Sequence, residues 1–356
     1  MKYAVGSFVG ALLLGIASVA GAQSLAYNSG QNVAPAYEGW EEEADGTKYF
    51  LFGYMNRNWE EELDLPVGPA NSFSPGAPDQ GQPTHFLPRR NIFVFRVRVP
   101  AGFTAKDELT WTLTSHGVTE HAHASLREDY KVDDVVRASE TGALGAGTSS
   151  PETRANKAPV VTVAQKTFTA KVGVPLSLEA TVTDDGIPKP RSIPGLTGPA
   201  IGRQGGAPAA APAAAAPAAG AAPSGSAQTP PASAAGAAPG SPAAGRGANA
   251  ITNFLLGPPA RVTVGKNLGL HVTWLMYRSP EMAKVTYEPR QIKAWQDTRA
   301  GANSPWAPLW IPPTLPADGK VKAQVTFSKP GTYVLRAHAD DGALTADQDV
   351  TVTVSP

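Results

Sequence analysis

Apolar and polar residues alternate in three short runs between Lys320 and Ser355. Lys329–Gly331 and Asp341–Gly342 supply turn residues between the runs. Alternation with a period of two, broken by turns, predicts antiparallel strands with one buried face. The C-terminal segment is therefore predicted to complete a β-sandwich. Its alternating apolar positions are Val321, Ala323, Val325 and Phe327, then Tyr333, Leu335, Ala337 and Ala339, then Val350, Val352 and Val354.

The middle run carries a family resemblance. Pro330-Gly331-Thr332-Tyr333 leads into a strand that ends at Ala339-Asp340-Asp341-Gly342, and this pattern resembles strand F of an immunoglobulin-like fold in its PKD-like bacterial form. The resemblance implies that the hydroxyl of Tyr333 bonds back to the corner before the strand. It implies a fold and not a function.

Earlier segments supply the other predicted strands of this sandwich, which we place at residues 159–356. Pro159–Val163 predicts strand A, Leu176–Val182 predicts strand B, and Leu270–Met276 predicts strand C. In strand C, Trp274 is predicted to face the core, and the opposite set is predicted to face outward: His271, Thr273, Leu275 and Tyr277. The positions of the usual B–F disulfide look like Leu178 and Leu335, which agrees with the absence of cysteine.

The region before this sandwich predicts a first all-β, sandwich-like domain at residues 37–135. Its strand signals are Tyr49–Tyr54, Asn91–Val99, Glu108–Thr114 and Val118–Leu126. The domain also resembles a family of uncharacterised exported bacterial proteins, on the runs FGYMNRN (Phe52–Asn58), GQPTHFLPRR (Gly81–Arg90) and WTLTSHG (Trp111–Gly117). That resemblance implies no activity.

Four segments are predicted to lie outside the two domains. Residues 1–22 contain a basic Lys2, a short apolar run and Ala20-Gly21-Ala22, which predict a signal peptide. Residues 23–36 are predicted to be a loose leader and residues 136–158 an interdomain linker. Residues 187–260 are predicted to be a long disordered insertion, because repeated prolines break any helix and few large apolar side chains are present.

The amino-acid composition excludes several kinds of partner and site. Thirty basic residues balance 30 acidic ones, so no electrostatic argument favours nucleic acid or an anionic membrane. The chain has no cysteine, which excludes disulfides, thiolate nucleophiles and cysteine metal sites. No apolar run after the signal peptide is long enough for a membrane span.

Two acidic turns form the first candidate site. Strands B and F both run into loops at the end of the sandwich where strand A begins, so Asp184-Asp185 and Asp340-Asp341 are predicted to face each other. Converging carboxylates and carbonyls can bind Ca²⁺. The alternative is that Asp-Gly pairs simply make turns.

Histidines of the predicted hairpin, which joins Glu108–Thr114 to Val118–Leu126, form the second candidate. His121 and His123 point to the same face of a strand, and His116 lies in the adjacent turn. A transition-metal site is one interpretation. A solvated polar face is the other.

Aromatic and acidic residues of the first domain form the third candidate. Trp40, Tyr54 and Trp59 lie near acidic runs. Arg89 and Arg90, close to His85 in the sequence, are separate candidates for binding an anion. Ring faces can stack on sugars while polar neighbours fix their hydroxyls. Core packing with a charged rim is the alternative interpretation.

The sequence therefore predicts an exported, periplasmic or extracellular protein that acts as a non-catalytic binding or structural module of the cell envelope. Its predicted partner is a polysaccharide or another envelope protein, and calcium is a candidate cofactor. The alternative is a carbohydrate-active enzyme or its accessory subunit, with the site in the first domain, which would need two carboxylates at a defined separation.

Overall fold

The computed structural model describes residues 28–140, 151–189, 269–293 and 313–356. Within these ranges the protein is all-β apart from two short α-helices and one 3₁₀ turn, and all of them fall in one compact unit. The described helices are too short to cross a membrane. The predicted signal peptide and almost all of the predicted insertion lie outside the described residues.

The first domain is a sandwich of two three-stranded antiparallel sheets with an additional two-stranded ribbon. One sheet has the order β1-β2-β6, made of β1 (Val33–Glu42), β2 (Lys48–Asn56) and β6 (Arg89–Arg98). The other has the order β4-β7-β8, made of β4 (Asn71–Ser74), β7 (Leu109–Ser115) and β8 (Val118–Ala124). The ribbon pairs β3 (Leu63–Asp64) with β5 (His85–Phe86).

Aromatic rings from both sheets form the core of this domain. Phe52 of β2 stacks on Phe95 of β6 and packs edge-on against Trp111 of β7. Each ring buried in this way stabilises the fold by about 1.5–3 kcal/mol. The domain starts earlier than the predicted residue 37, because Val33 is fully buried and its N–H donates to the hydroxyl of Ser115.

The second domain is an immunoglobulin-like sandwich of two four-stranded sheets. One has the order β13-β14-β11-β9, made of β9 (Val160–Thr162), β11 (Leu176–Thr183), β13 (Val285–Glu288) and β14 (Lys320–Phe327). The other has the order β10-β16-β15-β12, made of β10 (Thr167–Lys171), β12 (His271–Arg278), β15 (Gly331–Asp340) and β16 (Thr345–Ser355). These are the D-E-B-A and A′-G-F-C sheets of that fold.

Two predictions about this sandwich are confirmed. Trp274 is 1% exposed and shares its core with Leu178 and Leu335, both fully buried. The hydroxyl of Tyr333 donates to the carbonyl of Lys329 at 2.7 Å, which is the predicted tyrosine corner.

The predicted linker is partly helical. Helix α1 (Asp134–Glu140) and helix α2 (Pro151–Ala155) flank residues outside the described ranges. The carboxylate of Asp133 accepts from the N–H of Val136 at 2.8 Å and so caps α1. Ala138 then packs with Leu344 of the β15–β16 connection. Helix α1 is therefore held by a cap and by burial of Ala138, which the small, polar composition of the linker did not indicate.

Candidate functional site

The two domains meet along a polar contact that we call the interdomain seam. It joins the segment Asp79–Val94 of the first domain to Tyr277–Ser279, Lys293 and Arg336 of the second. The hydroxyl of Tyr277 donates to the carbonyl of Gly81, and the Arg278 Nε donates to the carbonyl of Gln82 at 2.8 Å. Both of these acceptors are backbone carbonyls, and the Nη atoms of Arg278 also bond the carboxylate of Asp79 at 2.7 and 3.0 Å.

The outer face of strand C is buried, which corrects the prediction that these residues face outward. His271, Thr273 and Tyr277 are 5%, 1% and 6% exposed, and Tyr277 belongs to the aromatic core of the first domain. A β-bulge between Met276 and Arg278 interrupts the pairing of β12 at Tyr277. One strand therefore contributes side chains to two hydrophobic cores.

A second bulge shapes the other side of the seam. Phe95 of β6 pairs with Phe52 of β2, and Asn91 pairs with Tyr54. The three residues 92–94 of β6 therefore lie opposite the single residue Gly53 of β2 and bulge out of the sheet. Phe93 in that bulge has a φ of 50°, a backbone conformation that residues other than glycine rarely adopt. Gly53 faces the bulge, where an added Cβ would collide with the carbonyl oxygen of Asn91.

The bulge directs two acceptors toward the second domain. The carbonyl of Val94 accepts from an Nη of Arg336. The side-chain oxygen of Asn91 accepts from the Nζ of Lys293 at 2.7 Å. Bulges commonly re-aim groups in this way.

Arg336 is the centre of a buried charge cluster. It forms two bonds with Asp349, at 2.7 and 2.9 Å, and one with Asp347 at 3.2 Å. Its guanidinium lies 3.7 Å from the ring centroid of Tyr277. His338 adds a 2.6 Å contact to Asp347. Burial raises the pKa of Asp347, but Arg336 and His338 outweigh that effect and lower it to about 2.

Lys293 has a strongly perturbed amine. Burial lowers its pKa to about 8, although Asp347 and Asp340 act in the opposite direction. The amine lines a cavity of about 20 Å³ at the seam, together with Tyr54, His85, Asn91, Tyr277 and His338. Such a volume holds one or two water molecules. Ordinary ligand pockets are roughly 300–1,000 Å³, so this cavity is too small for a sugar.

His85 lies between two carboxylates of the first domain. Its Nδ1 is 2.8 Å from Asp64 and its Nε2 is 3.1 Å from Glu62. Burial lowers the pKa of His85, but the bonds from Asp64 and Glu62 outweigh that effect and raise it to about 9. The imidazolium has no lone pair for a base or a metal ligand. Ser279 donates to Asp64 and not to His85, so the group is not a nucleophilic triad.

The aromatic residues proposed to stack on sugars belong to the core. Trp40, Tyr54 and Trp59 are 1%, 2% and 7% exposed. The indole N–H of Trp40 donates to the carbonyl of Arg127, and the hydroxyl of Tyr54 accepts from the N–H of Leu87. This corrects the sugar-platform interpretation, because a buried ring face cannot stack on a polysaccharide.

The two arginines proposed beside them also have partners within the fold. The guanidinium of Arg89 covers the ring of Trp59 at 4.3 Å. Arg90 forms an ion pair with the carboxylate of Glu38 at 2.7 Å. Neither lies beside an exposed aromatic surface.

The acidic turns lie at the predicted end of the second domain. Asp185 accepts from the N–H of Lys157, and Asp341 accepts from the side chain of the adjacent Asn156. Each of the four aspartates also accepts from backbone N–H groups of its own turn: Asp184 from Gly186, Asp185 from Ile187, Asp340 from Gly342, and Asp341 from Ala343 and Leu344. These carboxylates therefore act as turn caps.

The three histidines do not converge. His116 contacts Glu61 at 3.3 Å from the hairpin turn, whereas His121 and His123 lie side by side on β8. Across the described ranges, no group of three or more His, Cys, Asp or Glu side chains is placed to hold a metal ion. Within the described residues, neither the three-histidine site nor the calcium site at the acidic turns therefore has geometric support.

Sequence reasoning missed the charge cluster of the seam, although a signal was present. Arg336 and His338 are two residues apart on β15, and Asp347 and Asp349 are two apart on β16. Opposite charges at this spacing on adjacent antiparallel strands indicate cross-strand pairs. The structure pairs Arg336 with Asp349 and His338 with Asp347.

Comparisons with known proteins give no family. No family model matches the chain, and no curated protein matches it. Among solved structures, domains 4 and 5 of the S-layer protein SbsC are 10% identical, covering 92% of this chain and 98% of that one, with a TM-score of 0.19. The titin immunoglobulin tandem A164–A165 is 9% identical, covering 91% and 99%, with a TM-score of 0.18. The immunoglobulin-like assignment rests on the strand order described above.

Proposed function

We propose that this chain is an exported, non-catalytic structural or binding module of the cell envelope, built as one rigid two-domain β unit. The interdomain seam is the observation that carries the proposal. Backbone acceptors at Gly81, Gln82 and Val94 engage Tyr277, Arg278 and Arg336, in that order. Tyr277 also belongs to the hydrophobic core of the first domain, and a shared hydrophobic core opposes relative motion of the two domains, as a structural element requires.

The bonding of His85 also supports a non-catalytic role. A general base needs a lone pair within reach of substrate, and both nitrogens of His85 are bonded to carboxylates. The cavity beside Lys293 has room for water and not for a sugar ring.

The partner in this proposal is a polysaccharide or another envelope protein, and the second domain is of the PKD-like type. Balanced charge supports recognition by shape and hydrogen bonding over attraction to a polyanion. Export rests on the sequence of residues 1–22.

The binding test uses purified protein and isolated bacterial envelopes, divided into a polysaccharide fraction and a protein fraction. We expect the protein to sediment with one fraction and to release no reducing sugar from either. Polysaccharide hydrolysis that is lost in Glu62→Gln and kept in the matched control Glu60→Gln would overturn the proposal in favour of the carbohydrate-active alternative.

The export test is the mass of the protein after expression in a Gram-negative host. Cleavage before Gln23 in a periplasmic or extracellular fraction is expected. Retention of the intact chain in the cytoplasm would contradict export.

A further inference from the structure

Two histidines stand on the exposed face of β8. Ala122 and Ala124 are buried in the core of the first domain, and the alternating positions His121 and His123 are exposed. Their ring centroids are 6.0 Å apart, and the planes are tilted by 39°. The rings are therefore neighbours on a surface that solvent reaches.

Both rings are oriented through the same nitrogen. The Nδ1 of His123 is 2.6 Å from a carboxylate oxygen of Glu108. An ionised carboxylate only accepts, so this Nδ1 carries the proton and, in the neutral ring, the Nε2 lone pair faces away. The Nδ1 of His121 is 3.0 Å from the hydroxyl of Thr112, which can accept in the same way.

This arrangement is the one that metal-binding histidines use. A ligating imidazole usually donates its other N–H to a carboxylate, carbonyl or water, which fixes the tautomer and raises the basicity of the ligand. Glu108 fulfils that role for His123 at 2.6 Å. With half of the His123 side chain exposed (53%), water can complete the coordination of an ion.

The spacing of the rings suits a shared ion. A Zn–N distance of about 2.0–2.1 Å places each ring centroid about 3 Å from the metal. Two such rings at a tetrahedral angle have centroids about 5 Å apart. The observed 6.0 Å requires a closing movement of about 1 Å, which exposed side chains make by small rotations.

We propose that His121 and His123 bind one divalent transition-metal ion, Cu²⁺ or Zn²⁺, through their two Nε2 atoms, with water as the remaining ligands. Imidazole suits both ions, and Cu²⁺ binds more tightly. His116 takes no part, because it lies in the turn and contacts Glu61. The proposal is independent of the envelope function argued above.

The test is titration of the purified, tag-free full chain with Cu²⁺ and separately with Zn²⁺ at pH 7.5, by calorimetry, with electron paramagnetic resonance of the Cu²⁺ form. We expect one ion per chain and nitrogen hyperfine coupling from two imidazoles. His121→Gln and His123→Gln should each abolish the two-nitrogen signal. Glu108→Gln should weaken binding by about 10–100-fold, the usual effect of removing an outer-shell partner.

His116→Gln is the matched control, since it removes an exposed histidine of the same hairpin and should leave the affinity unchanged. All four side chains are on the surface, so circular dichroism should confirm that each variant folds. Failure of the wild type to bind either ion would overturn the proposal. So would wild-type affinity in His121→Gln, or an equal loss in His116→Gln.

Discussion

Replacement of His85 by glutamine should change how the stability of the protein depends on pH. The side chain of His85 is 5% exposed and is bonded to Asp64 and Glu62. Its folded pKa of about 9 lies above the ordinary 6.5. At about 1.4 kcal/mol per pKa unit, this difference corresponds to about 3 kcal/mol of stability.

The sign follows from proton binding. Between pH 6.5 and pH 9 the folded protein holds a proton on His85 that the unfolded chain releases, so the free energy of unfolding falls as the pH rises. The contribution is complete below pH 6.5 and is lost as the pH passes through 9. The difference in free energy of unfolding between wild type and His85→Gln should therefore be about 3 kcal/mol larger at pH 6 than at pH 10.

Urea unfolding followed by tryptophan fluorescence at both pH values measures this difference. Other groups that titrate over the range act in both proteins and cancel in the comparison. His116→Gln is the control, because that exposed pair with Glu61 should contribute less than about 1 kcal/mol. Equal pH dependence in wild type and His85→Gln would refute the reasoning.

Three further predictions concern the seam and the second core. Between pH 8 and pH 10.5, the free energy of unfolding of wild type should rise by up to about 3 kcal/mol more than that of Lys293→Met. The reason is that the folded pKa of Lys293, about 8, lies below the unfolded value, so the unfolded chain binds more protons over this range. Urea unfolding at both pH values measures the difference. Tyr333→Phe should cost about 1 kcal/mol by removing the bond to Lys329, and thermal unfolding with an unchanged melting temperature would contradict this. Gly53→Ala should lower the free energy of unfolding by about 1–3 kcal/mol, since the added Cβ would collide with the backbone of Asn91. Urea unfolding that shows wild-type stability for this variant would contradict the prediction, because it would mean that the bulge relaxes freely.

The alternation of apolar and polar residues correctly predicted the strands that bury one face in a hydrophobic core. Leu178 in β11 and Val325 in β14 are buried at alternate positions with charged or polar residues between them, and a period of two records that directly. β10 and β13 were missed because they are short and only half-buried: Phe168 and Val285, for example, are intermediate in exposure.

The seam was not predictable from local pattern. Arg336 and Asp347 look like residues of a solvated sheet face, and their burial depends on the approach of the first domain, whose Val94 carbonyl bonds Arg336. The partner of Lys293 is 202 residues away in sequence, at Asn91. The aromatic residues were ambiguous for a related reason, since the sequence around Trp40 is compatible with a core ring and with an exposed one.

The presence of Tyr277 in the core of the first domain also affects synthesis of the chain. That core includes a ring whose hydroxyl bonds Gly81, 196 residues earlier. At about 5–20 residues per second, the ribosome needs roughly 8–30 s to make the segment between Ala124, where the last strand of the first domain ends, and Tyr277. During this interval the first domain has a vacancy beside its aromatic cluster, open to chaperones and proteases. Translation speed across the intervening segment therefore sets how long the nascent first domain stays incomplete.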